Sequence, residues 1–168
     1  IISEETENIM SDNRHKILFV CMGNICRSPA AENVMRSMIQ TDQVEHKFEI
    51  DSAGTINFHA GKSPDARMRD ALRNRGIDST GSARQVKPSD FEYFDLILAM
   101  DEDNYQDLIN VRDRADHPTA KLDKFCEYCE EFDTDDVPDP YYGGLDGFEL
   151  VIDLLEDGCA ALLKKVNK

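Results

Sequence analysis

Cys21 and Arg27 stand six positions apart in the segment Cys21-Met22-Gly23-Asn24-Ile25-Cys26-Arg27-Ser28. A thiolate is a strong nucleophile, and a guanidinium presents a planar fork that can grip two oxygens of one anion. Five intervening residues suit a loop curled around an oxyanion, with sulfur below and the cation around its equatorial oxygens. The chemistry that this spacing points to is attack on a phosphorus ester. Gly23 permits backbone conformations that other residues avoid, and Asn24 tolerates left-handed geometry. Met22, Gly23, Asn24, Ile25, Cys26 and Ser28 are therefore read with Cys21 and Arg27 as an anion nest of backbone N–H groups.

Such a loop needs a strand before it and a helix after it. Residues 16–21 (KILFVC) form a short apolar run that reads as a buried strand, and Gly23-Asn24 breaks it. Ser28-Pro29 offers a cap and a first-turn proline, followed by Val34, Met35, Met38 and Ile39 at helical spacing. Further strands are expected over residues 48–52, 94–100 and 121–125. Helices are expected from Ser63-Pro64 to Gly76, over residues 101–110, and along the stripe Phe148, Val151, Ile152, Leu155, Cys159, Leu162, Leu163 and Val166. The alternation predicts an α/β fold: a single-domain open parallel sheet of about four strands, helices on both faces, the phosphate loop after the first strand. A nucleotide-binding loop would need Gly-Lys-Ser/Thr, which is absent. A zinc site would need a second ligand pair beside Cys21 and Cys26, so no metal is expected. On the Cys-x5-Arg spacing alone a buried strand-end thiol stays open; the strand–loop–helix setting favours catalysis.

Composition narrows the partners. A net charge of −15 argues against nucleic acid, which is held by Lys and Arg. It would also repel phosphorylated substrates, so a phosphate site must be built locally. Five cysteines, an odd number without an export signal, read as reduced thiols of the cytoplasm. No apolar run approaches the roughly 18 residues of a membrane span. The polar, acidic residues 1–13 read as a disordered leader, and residues 14–168 as one domain. His15, His46, His59 and His117 show no spacing for metal or triad chemistry. Residues 126–139 hold seven acids and no base, a solvated face that would bias substrates toward basic flanks. Cys126-x2-Cys129 lacks a second ligand pair and reads as packing thiols; Cys159 falls on the apolar stripe.

The run VCMGNICRSPAAE (residues 20–32) closely resembles the active-site loop of the low-molecular-weight protein tyrosine phosphatases. Asp51-Ser52-Ala53-Gly54-Thr55, Ser63-Pro64-Asp65, Ala83-Arg84-Gln85, Ala99-Met100-Asp101 and Val137-Pro138-Asp139-Pro140-Tyr141-Tyr142-Gly143-Gly144 are similar to that family's other landmarks, in the same order. The resemblance spans residue 15 to the C-terminus. It implies hydrolysis of phosphotyrosine in proteins through a cysteinyl-phosphate, with Cys21 as nucleophile, Arg27 as clamp and Asp139 as general acid. It implies no cofactor, phosphate or vanadate as active-site anions, and a monomer with weak self-association. It further implies a substrate cleft walled by Tyr141, Tyr142 and Phe58. Asn24, Ser28 and Ser52 would support the loop, and Cys26 would serve as redox partner of Cys21. The family's usual supporting histidine falls near Gly81, so Ser82 or water is expected in its place. Three rivals share features of the loop. Arginine phosphatases typically carry Thr where this chain has Ile25, and arsenate reductases need a second thiol pair that residues 70–100 lack. A non-catalytic phosphotyrosine-binding module would be expected to lose Cys21 or Asp139.

Overall fold

The computed structural model describes residues 12–167. The leader expected over residues 1–13 lies outside the described residues except for Asp12 and Asn13; Asp12 pairs with Arg14 and Lys16 at 2.9 and 3.3 Å.

Strand β1 (His15–Cys21) is paired in parallel on both edges, with β2 (Phe48–Gly54) on one side and β3 (Leu96–Ala99) on the other. Strand β4 (Lys121–Lys124) joins β3, giving a four-stranded parallel sheet in the order β2-β1-β3-β4. A central parallel strand is covered on both faces, which is why residues 16–21 read as an unbroken apolar run. Successive side chains point to opposite faces. Ile17, Phe19 and Cys21 enter one core with helices α1 (Arg27–Thr41), α2 (Ala66–Arg73) and the C-terminal helix Leu145–Val166. Leu18 and Val20 enter the other, beneath α3 (Asp90–Tyr93) and α4 (Glu102–Arg112). The C-terminal helix, α5, is the main cover of the first face. Phe148, Val151, Ile152, Leu155, Cys159, Leu162 and Leu163 are all buried along it, and each large apolar side chain so buried contributes about 1.5–3 kcal/mol. The expected fold class is the observed one.

Two helix starts differ from expectation by two residues. α1 begins at Arg27 behind Cys26 rather than at a Ser28 cap, and the Ser28 hydroxyl is engaged with Cys21 instead. α2 begins after Asp65, whose carboxylate accepts from Arg67 N at 2.9 Å, rather than at Ser63-Pro64. α3 is four residues long, too short to show a helical period in sequence. Residue 125 was expected to end the fourth strand but opens a 3₁₀ turn, Phe125–Tyr128.

The chain leaves β1 for β2 on one side and returns to β3 on the other, so strand order reverses between β1 and β3. Open parallel sheets form a crevice beyond the carboxyl ends of their strands at such a reversal. The segments following β1 and β3 meet there.

Candidate active site

The loop after β1 is shaped by where its carbonyls go. Thr55 N donates to Cys21 O at 2.9 Å, Ile56 N to Met22 O at 3.1 Å, and Asp65 N to Ile25 O at 2.8 Å. In a trans peptide the C=O of one residue and the N–H of the next point in opposite directions. With those carbonyls tied to the outside, the N–H groups of Met22, Gly23 and Cys26 turn toward the loop's centre. Asn24 N points at Cys21 Sγ, 3.3 Å away. Asn24 takes the left-handed conformation expected of it, with φ at 57°. Gly23 does not; its smallness serves His59, whose Cδ2 would lie 3.0 Å from an added Cβ. Gly54 is the more demanding position, since a Cβ there would fall 2.7 Å from Met22 O. The loop rests directly on the end of β2.

Beneath the loop runs a hydrogen-bond chain whose direction can be worked out from its far end. The Glu32 carboxylate can only accept, so Ser52 Oγ donates to its Oε1 at 2.7 Å. Ser52 then accepts from Asn24 Nδ2 at 2.9 Å, and the same amide donates to Ser28 Oγ at 2.9 Å. Arg84 N, donating to Asn24 Oδ1 at 3.0 Å, fixes which way the amide faces. The single Ser28 proton is left for Cys21 Sγ at 2.9 Å, with Ala53 O a longer alternative at 3.3 Å. Every link is buried: Asn24, Ser28, Ser52 and Glu32 are each less than a tenth exposed. Near Gly81, where Ser82 or water was expected in place of a histidine, the hydrogen-bond chain ends on the Glu32 carboxylate. Gly81 leaves room for that carboxylate, with Oε2 at 3.9 Å from the place of its missing Cβ, and Arg36 Nη2 binds the same oxygen at 2.6 Å.

Arg27 is 3% exposed, which obliges it to be paired. Its Nη1 donates to Asp101 Oδ2 at 2.5 Å and to Val137 O at 3.0 Å, and its Nη2 lies 3.7 Å from Asp139 Oδ2. Burial works against the cation, but the Cys21 sulfur and the Asp101 and Asp139 carboxylates more than offset it and raise its pKa. Asp101, which caps α4 by accepting from Asn104 N at 2.8 Å, therefore has two duties. Sequence reading took it only as a family landmark, because an Asp before a helix is ordinary capping.

The cleft above the loop is lined by Cys21, Met22, Gly23, Ile25, Cys26, Arg27, His59, Asp139, Tyr141 and Tyr142. It brings together residues from three distant segments. Tyr141 and Tyr142 meet edge to face at 4.9 Å, and Arg67 lies over the Tyr141 ring at 5.4 Å. Phe58 is not among the lining residues; three-quarters exposed, it stands at the rim with its ring 4.8 Å from that of His59. His59 is the lining residue that sequence reading missed, having no spacing partner to announce it. Burial, then the Asp65, Cys21 and Asp139 charges, push the Cys26 thiol up to about 12. Among the described residues no group of three or more His, Cys, Asp or Glu could hold a metal, and no helix is long and apolar enough to cross a membrane.

Comparison with known proteins agrees over residues 16–168. Residues 16–168 match the family described as low molecular weight phosphotyrosine protein phosphatase. A Synechocystis relative, provisionally named low molecular weight protein-tyrosine-phosphatase slr0328, is 53% identical over 91% of this chain and 97% of its own. A protein tyrosine phosphatase from Entamoeba histolytica superposes with a TM-score of 0.85 at 47% identity, covering 91% of this chain and 97% of that one. The Drosophila arginine phosphatase DARP also superposes at 0.85, with 29% identity over 91% of this chain and 98% of its own.

Proposed function

This chain belongs to the low molecular weight phosphotyrosine protein phosphatase family, and on that premise we propose that it hydrolyses phosphotyrosine in proteins, and aryl phosphates, through a cysteinyl-phosphate. The observation that carries the proposal is the convergence of Cys21, Arg27 and Asp139 on one aromatic-walled cleft. The phosphate enters the nest, where inward N–H groups and the Arg27 fork neutralise its equatorial oxygens. Cys21 Sγ attacks phosphorus, and Asp139 gives its proton to the departing phenol oxygen. That proton matters because the phenol's conjugate base is a poor leaving group, its acid having a pKa of about 10. The Asp139 carboxylate then takes a proton from water as it attacks the phosphocysteine, and the Ser28 hydroxyl donates to the leaving Cys21 thiolate. The phenyl ring packs against the paired rings of Tyr141 and Tyr142, with His59 and Phe58 at the mouth.

Ile25 and the paired tyrosines support phosphotyrosine over phosphoarginine, the reading that the Drosophila neighbour would suggest. The five free cysteines support a cytoplasmic setting, and the family resemblance supports a monomer with weak self-association. Cys26, buried and lining the same cleft, is read as the thiol that captures a sulfenic acid formed on Cys21 by peroxide, releasing water and closing a disulfide. One preparation assayed on phosphotyrosine, phosphoserine, phosphoarginine and arsenate tests the reading. Turnover confined to phosphotyrosine and aryl phosphates is expected; faster release from phosphoarginine, or arsenate reduction, would overturn it.

A further inference from the structure

The second cysteine pair lies outside the cleft. Cys126 sits within the 3₁₀ turn Phe125–Tyr128 and Cys129 follows it, with Cys129 N donating to Cys126 O at 3.2 Å. A 3₁₀ turn rises about 2.0 Å per residue and eclipses side chains three apart. Three such steps set the two Cα atoms about 6 Å apart on one side of the turn, within the roughly 4.4–6.8 Å that a disulfide bridges. Both thiols are free, Cys126 buried and Cys129 half-buried. The spacing alone read as packing; the turn that carries it changes that reading.

The frame around the pair is fixed by contacts that do not involve sulfur. The Phe125 ring fills the notch at Gly158, where an added Cβ would fall 2.3 Å from it. Tyr128 donates its hydroxyl to Asp123 Oδ2 at 2.7 Å. Lys124 Nζ bridges Asp136 at 2.6 Å and Glu102 at 3.3 Å. On the far side, Asp157 accepts from the N–H groups of Glu130, Glu131 and Phe132 at 3.1–3.2 Å. Little freedom remains to be lost when the sulfurs join, beyond rotation about two Cα–Cβ bonds. The Cys129 thiol reaches Leu154 O at 3.7 Å. The neighbouring Cys129 side chain, aided by Lys124, pulls the Cys126 thiol below its ordinary range against burial and the Asp136 and Asp135 charges. Contact with Cys126, then burial, pushes Cys129 up. One sulfur is thereby the nucleophile and its neighbour the proton-bearing partner.

We propose that Cys126 and Cys129 are a redox-active dithiol that a hydroperoxide closes to a disulfide, chemically separate from Cys21. The Cys126 thiolate attacks one peroxide oxygen; the O–O bond breaks, and hydroxide leaves and takes a proton as water. Cys129 sulfur then attacks the sulfenic sulfur, forming S–S and breaking S–O. The hydroxyl leaves with the Cys129 proton as a second water. Two thiols lose two electrons, and one peroxide gains them. A small oxidant suits Cys126, which is 6% exposed.

The test uses the whole chain with inorganic phosphate present, treated with hydrogen peroxide, alkylated under denaturing conditions, digested and mapped by mass spectrometry. The peptide holding Cys126 and Cys129 should be two hydrogens lighter and refuse alkylation, and dithiothreitol should restore both thiols. Cys159, sealed in the core, is the internal control and should oxidise about tenfold less or lower still. In Cys129→Ser the Cys126 sulfenic acid should persist and be trapped by dimedone; should that variant fail to fold, the wild-type map decides alone. Both thiols still alkylated while Cys21 is oxidised, or sulfinic acid on Cys126 beside a free Cys129, would overturn the proposal and leave the pair as packing.

Discussion

The phosphate loop and the acid loop face one another across the cleft, yet they are held in opposite ways. From Cys21 to Ser28 most side chains are buried, the carbonyls are tied to β2 and its following loop, and a polar chain runs beneath from Glu32 to sulfur. Asp139, Tyr142, Gly143 and Gly144 are exposed, and the short bonds of the Asp139–Gly143 stretch are its own: Tyr141 N to Asp139 Oδ1 at 3.1 Å and Gly143 N to Pro140 O at 3.0 Å. Outside itself, Asp139 has the 3.7 Å approach to Arg27. A nest that must fit one tetrahedral anion gains from rigidity. A carboxylic acid that must first protonate a phenol and then activate water gains from being free to shift. Damage to the first region should therefore appear in anion binding, and damage to the second in leaving-group dependence.

The largest effect is expected at sulfur. Cys21→Ser should abolish turnover while the fold and phosphate binding persist, and Arg27→Ala should lose both turnover and phosphate binding; steady-state kinetics and calorimetry check them. Next comes the acid. Asp139→Asn should slow phosphotyrosine hydrolysis by about 10²–10⁴, with a smaller loss on p-nitrophenyl phosphate, whose leaving group needs less help. Equal losses on both substrates would collapse the contrast between the loops. Asp101→Asn should keep the α4 cap but weaken the charge-assisted bond that aims Arg27. A bond of that kind is worth about 1.5–3 kcal/mol, so phosphate inhibition should weaken about tenfold to a hundredfold with less change in leaving-group dependence.

Glu32→Ala should act at longer range. It leaves the Ser52 hydroxyl without its acceptor and frees the direction of the whole chain. A loss of about 1–3 kcal/mol in unfolding free energy, and a weaker nest, should follow. Glu32→Gln, keeping an acceptor oxygen, should recover part of both. The smallest effect lies behind the acid loop. Burial pulls the Asp157 carboxyl up, but the N–H donors of Glu130, Phe132 and Glu131 outweigh it and hold it below the ordinary range. A carboxyl depressed in the folded state adds stability above its unfolded pKa of about 3.9 and loses it as pH falls through the lower folded value. Asp157→Asn should accordingly lower Tm at neutral pH, with the gap from wild type narrowing as pH drops below about 4.

What the sequence made legible follows the same division. The four strands, the long C-terminal stripe and the nest were readable because period, β-branched runs and Cys-x5-Arg are local signals. The buried polar half of α1 was not. Beyond Arg27 and Ser28, which the Cys-x5-Arg segment announces, Glu32 and Asn33 are buried there among apolar neighbours, so no amphipathic stripe marks them. Glu32 at the end of the polar chain, Asp101 as the arm behind Arg27, and His59 in the cleft depend on contacts between distant segments. The helix starts missed by two residues have nearer causes, and Asp65 rather than Ser63 caps α2. Ser28 looks like a cap because Ser before Pro usually is one; contact with Cys21 across the loop recruits its hydroxyl instead.

The central claim is that Cys21 carries the phosphoryl group between two chemical steps. Acid-quenching Asp139→Asn within milliseconds of mixing with p-nitrophenyl phosphate, then mapping the phosphorylated peptide by mass spectrometry, tests it directly. The account predicts a phosphoryl group on Cys21 whose formation matches the burst of p-nitrophenol. A burst with no phosphorylated residue, or with the phosphoryl group on another side chain such as His59, would contradict it.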